Sequence, residues 1–103
     1  MKNLINEKCI MPNNPPYWYN KRFYGSERHE VWEGRTGNRD KSIEDGLVIF
    51  TTPELHRTSK HSIHLNPTNE IWQELKRQSV KVWCKYYNKT EEDFRERYGK
   101  LPL

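Results

Sequence analysis

The sequence predicts a single small α+β domain. Three observations carry that prediction: two short strand-like runs lie mid-chain, a long stripe of apolar residues at helical spacing follows them, and three of the four histidines, His56, His61 and His64, fall within nine residues between strand and helix. A chain of 103 residues has room for one domain only. Hydrophobic residues make up 33% of it and charged residues 31%, so the core must be thin. Four Trp, six Tyr and three Phe supply large buried areas per residue, which argues against disorder despite a mean hydropathy of -1.15. In so lean a chain a bound metal contributes to folding itself.

Residues 1–26 form an expected extension that packs on the core, with residues 27–103 as the domain proper. Pro12, Pro15 and Pro16 fix φ and remove backbone donors, so an extended loop is expected there. The aromatics Tyr17, Trp18, Tyr19, Phe23 and Tyr24 would fold it back by hydrophobic anchoring, with base stacking or a partner surface as the other use for such a cluster. From Arg28 to Trp32 the residues alternate as a short strand, which Gly34 and Gly37 close. Asn38 to Asp45 is long enough for about two helical turns. The run Leu47-Val48-Ile49-Phe50, bounded by Gly46 and Pro53, reads as the second strand.

Thr52 followed by Pro53 has the form of an N-cap and first helical position, so a short helical turn is expected over 53–59. A longer helix is expected from Asn66-Pro67 to about Tyr87, with Ile71, Trp72, Leu75, Ser79, Val82, Trp83 and Tyr86 on its buried stripe. Thr90 and Asp93 have capping-box spacing and open a last short helix, which pairs Phe94 with Tyr98 and stops at Gly99.

Net charge is +4 and the pI near 9.1, values that suit nucleic acid or an acidic protein surface. Lys76, Arg77, Lys81, Lys85 and Lys89 occur with no acidic residue among them, and Arg77, Lys81 and Lys85, spaced by four, form a basic ridge on one helix face. Two cysteines, Cys9 and Cys84, are too few for a disulfide framework, so a reduced, cytoplasmic setting is expected. No apolar run approaches a membrane span, and Met1 to Asn6 lack the apolar core of a signal peptide.

The chemistry most strongly cued is a metal held by imidazoles, since neutral histidine is the commonest protein ligand for zinc. His29, His56 and His64 are the first candidates, with His61, Cys9 or an acidic side chain such as Glu30 as a fourth ligand. His61 lies three residues from His64, a common ligand spacing, but its neighbours Lys60 and Ser62 suit a solvent-facing position equally.

Longer segments carry a resemblance. Arg28-His29-Glu30-Val31-Trp32-Glu33-Gly34, the stretch Asn38-Arg39-Asp40-Lys41-Ser42 to Gly46-Leu47, Pro53-Glu54-Leu55-His56-Arg57 and Ile63-His64-Leu65-Asn66 are similar to small phage-encoded HNH endonucleases of the recombination-nuclease type. That family shows an HHxxxG strand, an NRxKSxxxGL stretch, a CPxHH turn, a VHxN end and a helix closing on an FxxxFG-like tail. The similarity covers about residues 27 to 99 and implies a ββα-metal core: a two-stranded hairpin, a long helix and a final short helix. It also implies that His29 is a general base, His56 a metal ligand and His64 a ligand or its support.

The chain departs from the pattern at Arg28, which replaces a first histidine and cannot coordinate a cation. Thr52 and Leu55 replace a cysteine and a histidine of the turn, and the N-terminal CxxC knuckle is missing. Two functions follow from this degenerate form. One is a phage-type zinc-binding protein that occupies and inhibits a host defence nuclease, for instance a CRISPR effector, with Tyr17, Trp18, Tyr19 and the ridge Arg77, Lys81, Lys85 as anchors. The other is an active metal-dependent DNA endonuclease, with the ridge on phosphates.

Overall fold

The computed structural model describes residues 7–33, 37–58, 62–66 and 68–102. It is mixed α+β: strand β1 (Glu27–Glu30), helix α1 (Asn38–Asp45), strand β2 (Val48–Thr51), a five-residue helical turn (Glu54–Thr58), helix α2 (Glu70–Tyr87) and helix α3 (Glu91–Tyr98). The strands pair antiparallel with His29 opposite Ile49 and Glu30 opposite Val48. Tyr19 adds a bridge to Phe50 on the far edge of β2, so the aromatic extension borders the sheet.

The strand-like run leaves the ladder at Trp32: Val31 still donates to the carbonyl of Leu47 opposite it at 3.0 Å, but Trp32 donates to the Ser42 hydroxyl at 3.2 Å, which turns the chain towards α1. Helix α1 matches its expected span and ends at Gly46, whose φ of +85° is open to glycine at little cost. A Cβ there would meet Lys8 Cγ at 3.0 Å and the Ile10 backbone nitrogen at 3.3 Å, so a side chain would also have to displace close neighbours.

Helix α2 starts later than Asn66-Pro67 suggests. Asn69 is its N-cap, accepting from the Ile71 N–H at 2.8 Å, while Asn66 is spent in a preceding turn that accepts from Asn69. Pro67 lies outside the described residues, as does Gly34. The buried stripe is Trp72, Leu75, Ser79, Val80 and Trp83; Val80 joins it beyond the expected set, Ile71 and Val82 pack partly buried against the core, and Tyr86 is exposed. Helix α3 carries the expected Thr90–Asp93 capping box and ends at Gly99, with Phe94 stacked on Tyr98 at 4.4 Å between ring centroids.

Thirteen buried residues make one core, led by Trp18, Trp32, Trp72, Trp83 and Phe94. Its indoles need partners for their N–H groups. Trp32 donates to the Ser79 hydroxyl at 2.7 Å and Trp83 to Asp45 Oδ2 at 2.8 Å. Asp45 also accepts from the Tyr98 hydroxyl at 2.7 Å and, through both oxygens, from Arg97 at 2.7 and 2.9 Å, which ties α1 to α2 and α3. Among the described residues no helix is long and apolar enough to cross a membrane.

Replacing Asp45 by alanine would strand a buried indole and phenol together. Asp45→Ala should cost about 2–3 kcal/mol, read from the urea midpoint. A loss below about 0.5 kcal/mol would show that these donors find water instead.

Candidate metal centre

Three folded segments each deliver one imidazole. Strand β1 brings His29, the helical turn brings His56, and the loop after it brings His64. Thr52 starts the turn as a cap, its hydroxyl accepting from Leu55 N–H at 3.2 Å and its carbonyl from His56 N–H at 2.8 Å. The chain then folds back on the turn, Ile63 donating to the Leu55 carbonyl at 2.8 Å and His64 to the His56 carbonyl at 3.2 Å.

One ligand atom from each of His29, His56 and His64 lies within 4.8 Å of the other two. The Nε2 atoms of His56 and His64 are 3.0 Å apart, and the ring centroids are 4.6 to 5.4 Å apart. Ligands at about 2.0–2.1 Å from a tetrahedral zinc stand a little over 3 Å from one another, so small adjustments would bring the set into coordination. The donor set also fits: borderline nitrogen ligands, two of them buried.

Glu27 supplies the outer support. Its Oε1 lies 2.8 Å from His56 Nδ1, which assigns the proton to Nδ1 and leaves the Nε2 lone pair facing the other imidazoles. The hydrogen bond from His56 holds the Glu27 carboxyl below its usual range, with Arg57 reinforcing it. Burial drives the His29 pKa down to about 3, and the neighbouring His56, His64 and Lys76 push the same way. His29 is therefore neutral near pH 7, as a ligand must be.

All three rings line one cleft of about 390 Å³ together with Arg22, Arg28, Arg39, Arg57, Glu30 and Glu33. The guanidiniums are held at its rim: Arg22 and Arg28 share Glu7, Arg28 and Arg39 share Glu30, and Arg57 pairs with Glu27. A larger concavity of about 700 Å³ lies between α1, α2 and α3, but its Asp45, Trp83 and Arg97 are committed to one another.

The other expected site residues lie elsewhere. Cys9 is no member of the histidine group: its thiol donates to the Val48 carbonyl at 3.0 Å, and burial raises its pKa, which disfavours the thiolate a metal requires. Glu30 is taken by Arg28 and Arg39. His61 lies outside the described residues. Trp18 is 0% exposed and belongs to the core, so it offers no surface to a partner; Tyr17 packs edge-on against Trp72. Arg77 pairs with Glu70 and Glu74, so the ridge with Lys81 and Lys85 is partly neutralised by carboxylates one and two turns upstream.

Glu27 and the gathering of four arginines went unread in the sequence, where Arg28 entered only as the residue in place of a first histidine. Glu27 had a signal, standing two residues before His29 and so on the same strand face. The arginines had none, being scattered from 22 to 57. No protein-family model, curated protein or solved structure matches the chain.

Two outcomes follow. Zinc at about a hundred times its dissociation constant should stabilise the protein by about 2.7 kcal/mol, seen as a raised melting temperature. His64→Ala should abolish that rise and Glu27→Ala should weaken zinc about 10- to 100-fold, while equal zinc binding by all three proteins would refute the site. Without metal, stability should fall as pH drops from about 6.5 towards 3, because His29 takes up a proton in the unfolded chain throughout that window and not in the folded one. Urea midpoints at pH 7 and 5 check this; a His29→Asn protein should show a shallower decline.

Proposed function

We propose that the protein is a metal-dependent phosphodiesterase acting on nucleic acid, on a scaffold of the HNH type. One observation carries the reading: three imidazoles and four guanidiniums open onto the same cleft. Imidazoles suit zinc and similar ions, and guanidiniums match the paired oxygens of a phosphate. A divalent ion, when bound, supplies Lewis acidity towards a phosphoryl oxygen and makes a water molecule far more acidic.

The chain's own residues account for the rest. His29, His56 and His64 hold the ion, and Glu27 fixes the orientation of His56. Arg39 and Arg57 are mostly exposed, and exposed ion pairs are weak, so both are free to exchange a carboxylate for a phosphate. Glu33 lines the cleft with its Oε2 4.0 Å from His29 Nδ1, which makes it the carboxylate placed to take the proton of the attacking water. Hydrolysis then forms one P–O bond from water, breaks the ester P–O bond, and returns a proton to the departing oxygen. The order of strand, strand and helical turn, with histidines on the first and third, supports the HNH type.

A zinc-stabilised inhibitor of a host defence nuclease is the second reading, and Arg28 favours it. That guanidinium stands where HNH proteins carry a first ligand and is locked between Glu7 and Glu30, so His29 is drawn into the ligand set and is lost as a base. The anchors that reading requires are weakened, however, because Trp18 is buried and Arg77 is paired. Hydrolysis ranks first.

Supercoiled plasmid incubated with magnesium, manganese or zinc tests the order. Cleavage is expected with at least one metal and should fall about 100-fold or more in His29→Ala and His64→Ala. No cleavage with any metal, alongside zinc stabilisation, would leave the inhibitor reading in its place.

A further inference from the structure

His29, Glu33 and His64 line two cavities. Opposite the arginine cleft is a smaller, more enclosed space of about 260 Å³, completed by Val31, Ile63, Trp72, Leu75 and Lys76. The two differ in chemistry. Beyond the shared imidazoles and the Glu33 carboxylate, the first presents guanidiniums and the Glu30 carboxylate, and the second presents aliphatic and aromatic carbon with one ammonium. A phosphate finds little to bind in the second, whereas a flat, largely apolar ring with polar edges suits it.

A nucleic-acid strand offers both groups within one nucleotide only where the base is unpaired. In a duplex the base faces are covered by stacking, and only their edges reach the grooves.

A second feature points the same way. Phe23 to Ser26 form a closed turn: the Ser26 N–H and hydroxyl both donate to the Phe23 carbonyl, at 2.9 and 2.6 Å, and the Ser26 oxygen accepts from the Phe23 N–H at 2.9 Å. Gly25 supplies the φ of +82° that the turn needs. At its tip Tyr24 is 104% exposed, and Arg22 and Arg28, close by in the chain on either side, both line the cleft. A lone exposed aromatic means little. A tyrosine held clear of the protein by a stiff turn, beside cations that suit the backbone, is the arrangement that stacks single-stranded bases.

Building on the hydrolytic reading, we propose that the site takes unpaired nucleic acid. The base next to the bound phosphate enters the Val31–Leu75–Lys76 cavity, and a further base stacks on Tyr24.

Fluorescence anisotropy of the zinc-loaded protein with short labelled oligonucleotides tests this. The intact single strand should bind about tenfold or more tighter than its duplex, and tighter than an abasic strand with the same phosphates. Tyr24→Ala should weaken the single strand about 5- to 100-fold with zinc binding unchanged, and Tyr24→Phe should leave it intact, since stacking needs the ring and not the hydroxyl. Equal affinity for single strand and duplex, or for intact and abasic strands, would overturn the proposal. So would Tyr24→Ala binding as wild type. Plasmid cleavage with no preference for unpaired regions would overturn it while leaving the hydrolytic reading in place; failure of every nucleic acid to bind would remove both.

Discussion

Two backbone hydrogen bonds, from Ile63 to Leu55 and from His64 to His56, set the geometry on which the candidate site depends. They hold Ile63 and His64 against the helical turn, so the His64 ring comes to lie against the His56 ring. The pairing of β1 with β2 then places His29 against both. Three imidazoles gain little from one another in water, and any two that are protonated repel. Their convergence must therefore be imposed by the backbone. It leaves unshared electron pairs gathered where water is partly excluded, which is the condition for binding a cation tightly.

The polar contacts of the core serve the same end. With so few aliphatic residues, large aromatic rings fill the interior, and each buried indole brings an N–H that must be met. Ser79 meets Trp32, and Asp45 meets Trp83. The first of these pins α2 directly behind the chain that leaves β1, two residues beyond Glu30. Leu75 and Trp72, one and two turns earlier on α2, thereby form the floor of the second cavity beside His29. A serine in an apolar stripe reads as a flaw until its partner is known; here it fixes the rotation of the helix that walls the site.

Local signals were legible and long-range ones were not. Helices α1 and α3 are bounded by glycines with positive φ and, in α3, by a capping box, all of which act within a few residues. The start of α2 was placed three residues early because Asn66-Pro67 has the form of a cap and first helical position, and only the tertiary path makes Asn69 the cap that is used. A single stripe of period 3.6 picks out Val82 and passes over Val80, which lies about 160° away around the helix and is buried all the same. The run from Lys76 to Lys89 holds no acidic residue, but the counter-charges of its ridge, Glu70 and Glu74, lie just before it. Crowding of histidines in sequence pointed to His56 and His64, but the cleft's arginines become neighbours only through the fold.

Whether a three-histidine centre is structural or reactive turns on its fourth position. A closed tetrahedral site needs one more protein ligand, and an open one takes water or substrate. Two of the candidates raised by the sequence are occupied elsewhere: Cys9 is bonded to the Val48 carbonyl, and Glu30 is clamped by two arginines. The side that remains faces Arg39 and Arg57, whose exposed ion pairs are easily exchanged. Among the described residues no fourth ligand joins the group, and the charge there is matched to an anion approaching from solvent; His61, the remaining candidate, lies outside them. In the hydrolytic reading proposed above, an ion held by His29, His56 and His64 would meet a phosphate at a position that no described residue fills, and on that reading the electrostatics of the rim, more than the number of histidines, favour chemistry over mere cohesion.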